Sequence, residues 1–106
     1  MMTQEQILLQ IHLNELGIKT IPEYRFDPER RFRFDLANPD LKMAFECNGT
    51  WNGLHGSRWS GSDMEKLNLA QAQGWTVFVF ANEDVLSGKA KAFLQEHICG
   101  IAKEIA

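Results

Sequence analysis

The sequence predicts a mixed α/β fold, with a small mixed sheet flanked by helices on both faces in the order α-β-β-β-α-β-α. Three observations lead there. Residues 31–37 and 41–48 each alternate apolar and polar side chains with a period of two, and the turn Asn38-Pro39-Asp40 separates them. Residues 75–80 are almost continuously apolar and follow a helical stretch, the pattern of a strand reached by a crossover. Two segments open with the spacing of a capping box, in which a hydroxyl and an amide or acid three residues on satisfy free N–H groups.

The first helix is predicted over about 4–16. Thr3 and Gln6 match the capping box, Ile7, Leu8, Ile11 and Leu16 recur at helical spacing, and Gly17 stops the helix. Pro22 and Pro28 bracket residues 23–27, which read as an edge strand. Asp27-Pro28-Glu29-Arg30 is a turn. In the next strand Phe32, Phe34 and Leu36 take one face and Arg31, Arg33 and Asp35 the other. In the third, Leu41, Met43, Phe45 and Cys47 oppose Lys42, Ala44, Glu46 and Asn48. Three successive strands with tight turns predict an antiparallel meander. Residues 49–61, rich in Gly, Ser, Asn and Trp, read as a mobile loop. Ser62 and Glu65 match a second capping box, with a helix to about Gln73 and a stop at Gly74. Residues 75–80 then read as a central, doubly covered strand parallel to the third. Beyond Asn82 a last helix places Leu94, Ile98, Ile101 and Ile105 on one stripe.

At 106 residues the chain is read as one domain, 1–106, with a modest core. The formal charge of −3 and pI near 5.5 provide no global basic field, so nucleic-acid binding requires a local patch. Cys47 and Cys99 lack zinc-site spacing and point to a reducing compartment, with a single bridge left open. No apolar run is long enough to span a bilayer, and the start lacks a signal peptide's basic and apolar regions. A cytoplasmic protein without membrane contact is expected. No Gly-rich phosphate loop, Ser-His-Asp set or Cys-His set is legible.

Arg33-Phe34-Asp35 and Phe45-Glu46-Cys47-Asn48 carry the chemistry. They place two carboxylates, with ten residues between them, in apolar strand surroundings. A carboxylate there is costly unless paired or bound to a cation. Two of them on neighbouring strands repel unless they share a proton or an ion. An oxygen-rich site of this kind suits Mg²⁺ (or Mn²⁺), which uses one or two carboxylates plus water and substrate phosphate. The plainer alternatives stay open: Asp35 paired with Arg31 or Arg33, Asn48-Gly49 as a turn pair, and Lys66 and Glu5 as solvated helix charges.

The order Asp-x10-Glu-x-Asn on a hairpin, after a first helix and before a helix and a buried strand, resembles the PD-(D/E)xK nuclease superfamily. The closer likeness is to its small domains of the very-short-patch-repair type and to stand-alone phage and bacterial nucleases. The residues that carry it run from Tyr24 to Phe80: Arg30-Arg31-Phe32-Arg33-Phe34-Asp35, Phe45-Glu46-Cys47-Asn48-Gly49, Asp63-x-x-Lys66-x-Asn68 and Gly74-Trp75-Thr76-Val77. The resemblance implies a restriction-endonuclease-like core. It implies that Asp35, Glu46 and the backbone carbonyl of Cys47 hold the metal, with Glu5 assisting from the first helix. One departure stands out. The superfamily commonly has Lys two residues after the Glu, where this chain has Asn48. Asn can orient water or phosphate but carries no charge. Lys66 on the following helix is the candidate to supply it.

Arg25, Arg30, Arg31 and Arg33 place four of the eleven basic residues within nine positions. Arg binds phosphate strongly and without regard to sequence. Arg31, Arg33 and Arg58 are therefore read as contacts to the DNA backbone, against pairing with Glu23, Asp27 and Glu29. Trp51, His55 and Trp59 in the loop can stack on or wedge between bases, or fold back as a lid. The expected activity is Mg²⁺-dependent hydrolysis of phosphodiester bonds in DNA, with catalytic roles for Asp35, Glu46, Asn48, Lys66 and Glu5. The alternative is an inactive module on the same fold that binds nucleic acid or protein. A domain this small leaves little surface for sequence readout, so a homodimer or larger assembly is expected.

Overall fold

The computed structural model describes residues 2–48 and 61–98. Their order is α1 (Gln4–Glu15), β1 (Ile21–Asp27), β2 (Phe32–Asn38), β3 (Met43–Asn48), α2 (Gly61–Ala72), β4 (Thr76–Ala81), α3 (Asn82–Ser87) and α4 (Lys89–His97). The strands form one sheet in the order β1-β2-β3-β4. β1 and β2, and β2 and β3, run antiparallel, and β3 and β4 run parallel. The meander and the parallel crossover both follow the sequence pattern.

Each face of the sheet carries its own core. On one, Leu36, Met43 and Phe45 pack with Leu9 and Leu13 of α1, Val85 of α3 and Leu94 of α4. On the other, Phe34, Ala37 and Ala44 pack with Ala70 of α2 and Trp75. Layers of this kind exist because each sheet face must find an apolar cover.

Four expectations change. First, β4 is the terminal strand among the described residues, paired with β3 alone. Its apolar run reflects contact with both cores, Phe78 and Phe80 with one and Val77 with the other. Covering of faces does not reveal position within the sheet. Second, the last helix is two, broken at Gly88 with φ of 89°. Leu94 and Ile98 are buried as expected, while Ile101 and Ile105 lie outside the described residues. Third, α1 buries Gln6, Leu9 and Leu13, whereas Ile7 and Ile11 are half exposed. Apolar residues occur on more than one side of this helix, so packing against the sheet, not periodicity, chose the face. Its capping box is present: the Gln6 N–H donates to Thr3 Oγ1 at 3.2 Å and the Thr3 N–H to Gln6 Oε1 at 2.8 Å. Fourth, Gly61 and Ser62 are both already helical, so Ser62 lies within α2 instead of at its cap, and Glu65 pairs with Arg30. Both of those side chains are half exposed, so that pair adds little to stability.

Candidate active site

The ladder between β2 and β3 is short. It pairs Asn38 with Met43, Ala37 with Ala44 and Leu36 with Phe45, and goes no further. Beyond that point β2 stays with β1, matching Phe34 to Tyr24 and Arg33 to Arg25. β3 stays with β4, matching Glu46 to Val79, Cys47 to Phe80 and Asn48 to Ala81. The sheet therefore forks, and Asp35 and Glu46 are the first residues on its two arms.

Strands that part leave N–H groups without ladder partners, and buried N–H groups need acceptors. The two carboxylates supply them reciprocally. The Asp35 N–H donates to Glu46 Oε2 at 2.8 Å, and the Cys47 N–H donates to Asp35 Oδ2 at 2.8 Å. The alternation of β2 breaks at the same place. Phe34 turns to the α2 face and Leu36 to the opposite core, so the expected common face of Phe32, Phe34 and Leu36 is not kept. On β1, Glu23 lies across from this break with a left-handed φ of 54°, a backbone state costly for a residue with a Cβ.

Alternation holds in β3, which sends Glu46 toward α2. There the Lys66 ammonium pairs with Glu46 Oε1 and sits 5.6 Å from the centre of the Phe34 ring. Both charged side chains are mostly buried, at 17% and 14% exposure. Burial pushes the Glu46 carboxyl above its ordinary value of 4.5, and the Asp35 charge adds to this; Lys66 opposes it. Among the described residues, Lys66 is thus the cation paired at a site with two carboxylates. Burial, then the charges of Asp35, Glu46 and Glu5, push the Cys47 thiol up to about 12. A thiol so placed stays protonated and is no nucleophile. Glu5, in the first turn of α1, is the smallest of these contributions.

Among the described residues no three Asp, Glu, His or Cys side chains are placed to hold a metal ion together. The donors are a pair, Asp35 and Glu46, next to backbone. This fits an ion such as Mg²⁺, which takes one or two carboxylates and keeps water, and two neighbouring carboxylates favour a cation beside them.

The remaining predicted residues divide. Asn48 ends β3, half buried, beside Ala81. Arg33 is exposed on β2, and Arg31 is exposed in the preceding turn with φ of 60°. Neither pairs with Asp35, and neither makes an ion pair among the described residues. Trp51, His55, Arg58, Trp59 and Cys99 lie outside the described residues. Two features escaped the sequence pattern. Arg25 stands directly across from Arg33, which only the register reveals. The buried Asn82 Oδ1 has no hydrogen-bond partner among the described residues, one residue past the β4 end that flanks Asn48. A cavity of about 280 Å³, lined by Phe80, Asp84, Lys89, Ala90 and Phe93, contains none of these residues.

No family model and no curated protein matches the chain. Among solved structures, the fold is similar to the catalytic domain of the homing endonuclease I-Bth0305I, with a TM-score of 0.70 over 91% of this chain and 94% of that one. Sequence identity is 18%, and the likeness is one of fold.

Proposed function

We propose that the protein is a divalent-metal-dependent endonuclease of the PD-(D/E)xK type that hydrolyses phosphodiester bonds in DNA. The reciprocal carboxylate fork carries this reading: two acidic side chains, each fixed by a backbone N–H of the opposite arm, stand together where the strands part, with Lys66 beside them. The likeness to a fold whose known example is an endonuclease catalytic domain supports it.

Asp35, Glu46 and the Cys47 carbonyl would hold Mg²⁺ or Mn²⁺. When bound, the ion supplies charge neutralisation at the phosphate and makes water a stronger acid. The chain's own residues do the rest. Lys66 favours the ionised form of Glu46, and its ammonium supplies the charge that Asn48 lacks, arriving from α2 instead of β3. A fixed cation beside developing phosphate charge is the electrostatic contribution that usually dominates such catalysis. Asn48 orients water at the mouth of the fork, and Glu5 adds negative charge from the α1 side. Arg31 and Arg33, together with Arg58, Trp51 and His55, engage the substrate. Two copies in a homodimer would present one fork to each strand of a duplex.

The test is nicking of supercoiled plasmid with Mg²⁺ or Mn²⁺ by wild type, Asp35→Ala and Glu46→Ala. Wild type is expected to nick, and each variant to lose at least roughly a hundredfold in rate. Binding without nicking by wild type would instead favour an inactive module.

A further inference from the structure

We propose that Arg25 and Arg33 form a phosphate clamp on the β1–β2 arm, across which a nucleic-acid backbone lies on its way to the fork. The inference rests on reading the fork as a nuclease site and extends it to how substrate is held. Arg25 and Arg33 are direct partners in the antiparallel register, which sets their Cβ atoms roughly 5 Å apart. Like charges so placed repel, and opposite charge is the favourable cross-strand partner. Both side chains are exposed, and neither makes an ion pair or hydrogen bond among the described residues.

The neighbouring acids are engaged elsewhere or stand aside. Asp27 is buried, and its Oδ1 accepts the N–H groups of Glu29 and Arg30. Glu65 holds Arg30, and Glu46 holds Lys66. Glu23, two residues along β1, pairs with neither arginine. The opposite face of the arm is anchored. The Phe26 and Phe34 rings stack with centres 4.2 Å apart, and Tyr24, Phe26 and Phe34 all lie against Trp75. Alternation then directs Arg25 and Arg33 away from Trp75. Two forked donors on a firm ribbon, without a carboxylate of their own, suit the oxygens of one phosphodiester or two in succession. Arg33 precedes Asp35 by two residues, about 7 Å along the strand, so a backbone gripped there lies near Asp35, while Glu46 reaches the fork from the α2 face. Arg30, held by Glu65, is not part of the clamp.

The experiment titrates a labelled DNA duplex by fluorescence anisotropy over a range of salt, using wild type, Arg25→Ala, Arg33→Ala and the double variant. Two unrelated duplex sequences are compared, and plasmid nicking is measured in parallel. Each single variant is expected to bind roughly tenfold more weakly on both sequences. Each should also lower the slope of log affinity against log salt by about 0.9. Thermal melts of the variants should match or exceed wild type, since a like-charge contact is removed. Wild-type binding that neither substitution weakens overturns the clamp and leaves the carboxylate site standing. Weakened binding with a wild type that never nicks upholds the clamp and overturns the nuclease. A wild type that binds no duplex overturns both.

Discussion

Glu46 feels two opposing charges. Asp35 raises its pKa together with burial, and Lys66 lowers it. A raised value means the folded protein holds this proton more tightly than the unfolded chain. The stabilisation from that tighter hold is therefore full below about 4.5 and is lost as pH rises through the folded value. Two substitutions move this balance in opposite directions. Asp35→Asn keeps an oxygen for the Cys47 N–H but removes a charge. It should stabilise the metal-free protein near neutral pH by on the order of 1 kcal/mol, and flatten the loss of stability above pH 4.5, while abolishing activity. Lys66→Met leaves Glu46 without its cation. It should cost about 1–3 kcal/mol at neutral pH, part of it recovered in acid. Urea melts from pH 4.5 to 7.5 measure both, and an Asp35→Asn protein weaker than wild type at neutral pH would contradict the electrostatic account. The two carboxylates were legible in the sequence because charge within an apolar strand demands an explanation. Lys66 was legible as a candidate, since a helix was expected there, but its reach to Glu46 depends on how α2 crosses the sheet. Arg25 was legible only as one of a cluster. Its partner is set by an irregularity between Arg25 and Asp27 that composition does not announce.

At the scale of elements, strands read better than their arrangement. Period-two alternation located β2 and β3 and kept its meaning along β3. In β2 it failed at Asp35, where the chain leaves its ladder and twists one side chain out of phase. That failure marks the place where the sheet opens. The break between α3 and α4 was missed because Gly88 falls between segments that are both good helix formers, and an isolated glycine does not by itself end a helix. Its φ of 89° does so here. Beyond the adjoining backbone, no atom of the described residues lies within 4 Å of where a Cβ would stand at this position. The cost of Gly88→Ala is then purely conformational, about 1–2 kcal/mol. The substitution should lower the urea midpoint and leave plasmid nicking unchanged, because Gly88 is none of the residues assigned a part in binding or catalysis. A variant as stable as wild type would mean that the two helices can run on as one.

Across the whole molecule, the fork divides the sheet into a β1–β2 arm and a β3–β4 arm, joined by three residue pairs of ladder and the two carboxylate bonds. The arms differ in charge: Arg25 and Arg33, without ion pairs among the described residues, lie on one, and the carboxylate that meets Lys66 lies on the other. A cation between Asp35 and Glu46 would tie the arms together at the point where the ladder gives out. It would bind the folded chain and not the unfolded one, in which the two side chains are ten residues of loop apart. Such binding stabilises by mass action, adding about 1.4 kcal/mol for each tenfold of free ion above its dissociation constant. For a chain of this size each kcal/mol raises the melting midpoint by roughly 4–8 °C. Melting of the wild type in rising Mn²⁺ should therefore climb steadily with the logarithm of concentration. Asp35→Asn and Glu46→Gln should each flatten that climb, whatever their stability without metal. The readout needs no substrate and no turnover, and so separates ion binding from catalysis. A midpoint that ignores Mn²⁺ in the wild type, or that climbs equally in the variants, would leave the two carboxylates as a structural clasp for a parted sheet.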